Sequence, residues 1–120
     1  MAILTVQKPT QAGATLTLSA AAAGGDSFPN TGIEYFHILN SHATLPRTVT
    51  FDSPNTCNFN LAASAAHDLA VVVPGVSGAP ANRVIIGPFS NVRFNDGNNR
   101  VQISYSDAAA DLTVAVQAGA

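Results

Sequence analysis

The chain has 120 residues, which is enough for one domain and too few for two, because single domains most often contain roughly 100–150 residues. Hydrophobic residues make up 47% of it but charged residues only 10%, against roughly 25% in an average soluble protein. The formal charge is −2 and no basic block is present, which argues against nucleic acid as a partner. The composition therefore excludes a disordered chain and favours a weakly charged surface that contacts other protein.

Membrane insertion and disulfide stabilisation are also excluded. The longest strongly apolar run, residues 69–73, ends at Pro74 and is far shorter than the roughly 20 residues of a membrane helix. Cys57 is the only cysteine, so the chain cannot form an internal disulfide, which suits folding in a reducing cytoplasm. The fold is thus expected to depend on packing and hydrogen bonds.

The first 27 residues differ from the rest and predict an extended N-terminal arm with a linker strand. Residues 1–6 are strand-like, residues 8–11 interrupt them, and residues 20–25 have the small side chains of a flexible hinge. Such an arm can pair its backbone with an edge strand of a neighbouring copy. The candidate partner-binding residues are Ile3, Leu4, Val6 and Lys8. The sequence equally permits them to form the first strand of their own domain.

Period-two alternation of apolar and polar side chains predicts strands along most of the chain. The apolar positions are Leu16 and Leu18, Val49 and Phe51, Val101, Ile103 and Tyr105, and Leu112, Val114 and Val116. Residues 33–39 and 69–73 carry apolar side chains on both faces, which predicts central strands. Gly, Pro and Asn turn signals separate these runs. We therefore predict an all-β fold, a single-domain antiparallel β-sandwich or barrel over residues 28–120, preceded by the arm of residues 1–27.

One hairpin and one helix complete the predicted elements. Residues 92–94 are expected to form a strand that turns through residues 95–99 into the strand beginning near Arg100. The Asp96-Gly97 dipeptide between the two is a hairpin signal. Only residues 61–69 have helical character, and the segment is short.

Histidine and cysteine spacing does not match a metal site. The candidates are His37, His42, His67 and Cys57, and none has a companion at ligand spacing. His37 is expected at the core edge of a central strand, and His42 and His67 in polar loops. The sequence predicts no metal site and no cofactor.

The candidate nucleophiles and carboxylates do not form a recognisable catalytic pattern. Ser77 lacks the spacing of a nucleophile elbow, and the neighbours His67 and Asp68 point apart on an extended chain. The carboxylates Asp68, Asp107 and Asp111 stand at expected strand starts or turns, where Asp is common for backbone reasons. We predict no catalytic residues and expect that the protein is not an enzyme.

A series of short turn and strand signatures runs through the chain. They are DSFPNTG (26–32), TVT (48–50) followed by SP (53–54), HDLAV (67–71) before Pro74, IGPF (86–89), RFND (93–96), VQISYS (101–106) and LTVA (112–115). In this order they resemble a family of small structural proteins encoded beside the major capsid genes of tailed bacteriophages and prophages. The resemblance covers residues 4–116.

The resemblance implies a virion protein, in the first place a head decoration (cement) protein, made in the host cytoplasm and bound to the capsid exterior. It would stabilise the shell by bridging neighbouring major capsid subunits. Its partners would be the major capsid protein and further copies of itself, as a trimer if it follows shell symmetry. A neck or tail position stays open, as does an exterior module that binds glycans or a host surface. The loop residues of such a module would be Asn55, Asn58, Asn82 and Arg83.

Overall fold

The computed structural model describes residues 2–54, 68–76, 83–106 and 111–119. Within these ranges the chain forms ten strands and one short helix. In chain order they are β1 (Ala2–Ile3), β2 (Val6–Gln7), β3 (Ser19–Ala20), β4 (Asp26–Pro29), β5 (Glu34–Asn40), β6 (Arg47–Phe51), β7 (Leu69–Val73), β8 (Arg83–Ile86), α1 (Asn91–Phe94), β9 (Arg100–Tyr105) and β10 (Leu112–Ala118).

The strands form two sheets that pack on each other. The first sheet has the order β1-β4-β9-β6-β7, and the second has the order β2-β10-β5-β8, with β3 also paired to β10. The described strand pairs are antiparallel except β1–β4 and β2–β10, which are parallel. The predicted all-β sandwich is confirmed, and the N-terminal strands make both sheets mixed instead of purely antiparallel.

Alternation along each strand separates a core face from an outer face. In the longest pair, Leu112, Val114 and Val116 of β10 lie opposite Asn40, Ile38 and Phe36 of β5, and all six side chains are buried. The intervening Thr113 and Gln117 are only half-buried and lie on the outer face. The period-two pattern that predicts β10 is thus confirmed.

Five phenylalanine rings fill the space between the sheets. Phe28, Phe36, Phe51, Phe89 and Phe94 are all buried. Their ring centroids are between 4.7 Å (Phe51–Phe89) and 6.1 Å (Phe28–Phe36) apart, in tilted, edge-to-face and stacked pairs. Burying each ring contributes about 1.5–3 kcal/mol, with about 0.5–1.5 kcal/mol more for each favourable aromatic pair.

Only one of the two strands predicted to be central is central. β5 lies between β10 and β8, whereas β7 is the last strand of the first sheet. In β7, Val71 and Val73 face the core, but the intervening Val72 is 60% exposed. The prediction for β7 is wrong because an apolar run shows only that a strand tolerates burial, not that strands lie on both sides of it.

The predicted strand of residues 92–94 is also wrong, because these residues belong to the helical turn α1. The N–H of Phe94 donates to the carbonyl of Ser90 at 2.9 Å. On a strand, Val92 and Phe94 would share one face, but the helical turn leaves Val92 80% exposed and buries Phe94. The turn that follows is confirmed, since Asn95 bridges Val101 and the N–H of Asp96 donates to the carbonyl of Arg100 at 2.9 Å.

The residues predicted to form an arm add strands to both sheets of their own chain. β1 joins the first sheet, β2 and β3 join the second, and residues 22–25 form a hydrogen-bonded turn. Pairing of the same residues with a neighbouring copy stays a prediction. The predicted helix over residues 61–69 lies outside the described residues except at Asp68 and Leu69, and β7 begins at Leu69.

Candidate interaction site

Of the four predicted partner-binding residues, Leu4 is buried, Val6 is half-buried, and Ile3 and Lys8 are exposed. Leu4 is 8% exposed, and its N–H donates to the carbonyl of Ser27 at 2.7 Å. Val6 pairs with Val116 and packs against the core. Ile3 is 58% exposed and Lys8 is exposed as well. The structure therefore places Leu4 and Val6 in the domain and leaves Ile3 and Lys8 available to a partner.

The N-terminal residues cover one side of the sandwich. Because β1 pairs with β4 in the first sheet and β2 with β10 in the second, the chain crosses from one sheet to the other at Leu4 and Thr5. The edges of β4 and β10 are thereby paired with strands of the same chain. We call this side, formed by β1, β2 and β3, the closed side.

A buried carboxylate holds the closed side together. Asp26 is fully buried and accepts hydrogen bonds from the Tyr105 hydroxyl (2.7 Å), the N–H of Ala22 (3.2 Å) and the N–H of Ala2 (3.3 Å). Burial, followed by the hydrogen bond to Asp26 and its charge, raises the pKa of Tyr105, so the hydroxyl stays a donor. One side chain thus joins β1, the turn before β4, and β9.

Between β2 and β3 the chain leaves the sheet as a loop of residues 8–18, called here the N-terminal loop. At its base, the side-chain amide of Gln7 donates to the carbonyl of Thr17 (2.8 Å) and accepts from the N–H of Thr17 (2.9 Å). At its far end, the N–H of Gly13 donates to the carbonyl of Thr10 at 3.0 Å. Lys8 and the turn residues are exposed, so the loop presents an accessible surface after β2.

The opposite side of the sandwich ends in β7 and β8, and we call it the open side. Within the described residues no strand pairs with the outer edge of either one. Val72 of β7 is 60% exposed and Ile85 of β8 is 61% exposed. Exposed edges with apolar side chains can accept a further strand.

Two carboxylates lie next to each other beside β7. The Oδ1 of Asp68 accepts from the N–H of Ser53 at 2.8 Å, and Asp52 lies within reach of Asp68. Burial, followed by the charge of Asp68 and a hydrogen bond with it, raises the pKa of Asp52. The start of β7 thus lies beside two negative charges, whereas β8 carries no carboxylate.

The outer face of the first sheet is polar, with the carboxylates of Asp52 and Asp68 at one end. The buried Ser27 lies opposite Gln102, and the more accessible Thr50 lies opposite Ser104 and Ala70. Short hydroxyl and amide side chains of this kind can contact another protein without burying unpaired ions.

The histidines of the described residues are held by their own chain. His37 is buried on the central strand β5, as expected, with its Nε2 2.9 Å from the Oε1 of Gln117. His42 lies in a loop, and its Nδ1 accepts from the N–H groups of Thr44 (3.1 Å) and Leu45 (2.9 Å). His67 and Cys57 lie outside the described residues. In the described part, no three His, Cys, Asp or Glu side chains come together as a metal site.

The described carboxylates considered for catalysis are far apart. Asp68 lies beside Asp52, after the end of β6, whereas Asp111 forms an ion pair with Arg47 at the start of β6, at 2.9 Å. Ser77 and Asp107 lie outside the described residues. The structure therefore does not bring Asp68 and Asp111 into one site.

One end of the sandwich is rich in asparagine, and it is relevant to the alternative that the protein is a glycan-binding or host-surface-binding module. The buried Asn30 donates to Asn95 (2.7 Å) and to the carbonyl of Phe89 (3.0 Å), and Asn95 donates back to the carbonyl of Asn30 (3.0 Å). A surface cavity beside them is also lined by Thr31, Asn91, Val92 and Asn99. Asn55, Asn58 and Asn82 lie outside the described residues, and Arg83 lies on β8 instead of in a loop.

The sequence patterns do not single out Asp26 or Ile85. Asp26 appears in a turn signature, and nothing in its neighbours shows that its carboxylate is buried. Ile85 lies in a four-residue strand whose last three residues, Val84, Ile85 and Ile86, carry no charge. That uncharged run was an available signal for an edge that accepts a partner.

Comparisons with known proteins add no relative. No protein-family model, no curated protein and no solved structure matches the chain. Among the described residues, no helix has the length and apolarity needed to cross a membrane.

Proposed function

We propose that this protein is a non-enzymatic structural component of a virion, a decoration protein that binds the outside of a capsid and stabilises it by bridging neighbouring major capsid subunits. The observation that carries the proposal is the exposure of Ile3, Lys8 and the N-terminal loop, which together we call the N-terminal surface. This surface is built on strands that are fixed in the core by Leu4 and Asp26. Because these strands are part of the folded domain, a partner that binds the surface is held by the whole domain and not by a loose segment.

The resemblance described for residues 4–116 supplies the setting. The low charge supports the same class, because a weakly charged surface can meet a protein shell without desolvating many ions. Symmetry repeats each contact around the shell, so modest contacts per copy add up to firm binding. Each bound copy stabilises the shell because it binds the assembled state and not separated subunits.

Co-sedimentation with purified empty shells of the major capsid protein tests this function. The native protein should pellet with the shells in a saturable manner. A variant with Ile3→Ser and Lys8→Gln should bind about tenfold more weakly, a loss of about 1.4 kcal/mol. Both side chains are exposed, so the variant should fold normally.

The matched control is the double variant Val92→Ser and Arg93→Gln, which changes an exposed apolar residue and an exposed cation on α1. It should bind shells as the native protein does. Equal weakening in both variants would show that the N-terminal surface is not the contact. Absence of saturable binding by the native protein would refute the decoration role.

A further inference from the structure

The edge of β8 has the properties of an association surface. β8 is the last strand of the second sheet, so one row of its backbone N–H and C=O groups faces away from β5. Natural edge strands are usually protected by a charge, a proline or a bulge in the strand. Arg83 begins β8, but Val84, Ile85 and Ile86 have none of these features, and Ile85 is 61% exposed.

The other edge on the open side is less suitable. β7 is immediately preceded by Asp68, whose carboxylate lies beside that of Asp52. Together the two carboxylates give the sheet a negative charge next to the start of β7. β8 carries no carboxylate, and its one charge is at the end of the strand.

The register of β8 fits a second copy of itself. When two copies of one strand pair antiparallel across a two-fold axis, residues that lie opposite each other have side chains on the same face of the sheet. Successive residues of a strand point to opposite faces. The axis must therefore pass through the point where one residue lies opposite its own copy, and not between two residues. An axis beside Ile85 places Ile85 opposite its own copy on the outer face. Val84 then lies opposite the copy's Ile86 on the core face, and Arg83 lies opposite Gly87. This register places no charge opposite a like charge.

We propose that β8 is the surface through which two copies of this chain associate, antiparallel and across a two-fold axis beside Ile85. The second sheets of both copies then form one continuous sheet, and its core face is apolar where the two copies meet, at Val84 and Ile86. The pairing goes beyond the decoration role and does not depend on it. It replaces the trimer expected from shell symmetry with a closed two-fold contact, and leaves the accessible N-terminal surface free on the far side.

Site-specific disulfide trapping tests the register. In a Cys57→Ser background, Ile85→Cys places two thiols opposite each other at the axis. Arg83→Cys is the matched control, because it is exposed on the same face of the same strand. In the proposed pair the two copies of residue 83 are about 13 Å apart, which is beyond disulfide reach. We expect oxidation to yield mainly dimer for Ile85→Cys and mainly monomer for Arg83→Cys, on a non-reducing gel.

Analytical ultracentrifugation of the protein without introduced cysteines completes the test, because it measures the oligomeric state directly. The native protein should show a concentration-dependent monomer–dimer equilibrium. Ile85→Lys should abolish it, whereas Val92→Lys, at a more exposed position on α1, should retain it. Both side chains are exposed, so neither variant should unfold the domain.

Equal disulfide yields at positions 83 and 85, a native protein that stays monomeric or forms trimers, or an unchanged dimer for Ile85→Lys would each overturn the proposal. The test of dimerisation does not depend on whether the protein binds shells. A protein that dimerises but does not bind shells refutes the decoration role alone, and one that binds shells as a monomer refutes the β8 pairing alone.

Discussion

The two sides of the sandwich end their sheets in different ways. On the closed side, β1 and β2 pair with β4 and β10, and Leu4 packs between the sheets. On the open side, β7 and β8 expose Val72 and Ile85, and no described strand pairs with their outer edges. The N-terminal residues therefore complete the domain where it would otherwise expose two edges, and the described edges that stay unpaired lie on the side that they do not reach.

The carboxylates differ between the two sides in the same way. Asp26 on the closed side is surrounded by three hydrogen-bond donors. Asp52 on the open side faces another carboxylate, that of Asp68. A buried charge is tolerated when hydrogen bonds satisfy its oxygens, whereas two neighbouring like charges repel each other even where, as at Asp52, the side chain is exposed. The closed side is thus the more firmly built of the two.

The largest expected difference between the sides is in core stability. Leu4→Ala should lower the free energy of unfolding by about 2–4 kcal/mol, because it leaves a cavity between the sheets. Ile85→Ala, on an exposed side chain, should change it by less than about 0.5 kcal/mol. Urea unfolding at a concentration where the native protein is monomeric measures both. Equal losses of unfolding free energy in the two variants would contradict the conclusion that the N-terminal strands complete the core on the closed side.

Loss of the bond to Asp26 should have the next largest effect. Tyr105→Phe should cost about 1.5–3 kcal/mol, because it removes a hydrogen bond to a buried charge. Tyr35→Phe is the matched control, since the Tyr35 hydroxyl makes no hydrogen bond within the described residues, and it should be nearly neutral. Thermal unfolding of the two variants provides the comparison. A neutral Tyr105→Phe would show that Asp26 does not need this donor.

On the open side, removing a charge should stabilise the fold. The folded-state pKa of Asp52 is raised, so its contribution to stability is present at acid pH and is lost as the pH rises through that pKa. Asp52→Asn should therefore be more stable than the native protein at neutral pH, by less than about 1 kcal/mol, and the gain should disappear in acid. Asp111→Asn, which breaks the ion pair with Arg47, should instead destabilise. A gain that persists in acid would contradict the electrostatic explanation.

The smallest effect is expected at the base of the N-terminal loop. Gln7→Ala removes two exposed hydrogen bonds to Thr17 and should cost less than about 1 kcal/mol. It should, however, speed thermolysin cleavage within residues 8–18 several-fold, because local opening becomes easier. Gln11→Ala, in the exposed turn, should leave the cleavage rate unchanged. Equal rates in the two variants would show that the amide does not hold the loop.

Alternation predicted β6, β9 and β10 correctly, but the alternating Leu16 and Leu18 lie in the N-terminal loop and not in a strand. Val101 and Ile103, or Leu112 and Val114, mark the core face of β9 and β10 directly, because side chains of successive residues leave a strand in opposite directions. Strand order was not predictable, since pairings such as β1 with β4 depend on distant residues. The apolar run of β7 therefore suggested a central strand, although β7 lies at an edge.

Local conformation misled the prediction at α1. Val92 and Phe94 are two residues apart, which is the spacing of side chains on one face of a strand. A single helical turn instead buries Phe94 and leaves Val92 exposed. The interaction site was predictable in part. The strand character of Ile3, Leu4 and Val6 was visible, but the burial of Asp26 that fixes them depends on Tyr105, which is 79 residues away.

The most direct test of the proposed function is the copy number of this chain relative to the major capsid protein in purified particles, measured by quantitative mass spectrometry. We predict an abundance comparable to that of the major capsid protein, since a decoration protein bridges subunits over the whole shell. A handful of copies per particle would contradict a decoration role and indicate a neck or tail position. Complete absence from particles would contradict the virion assignment altogether.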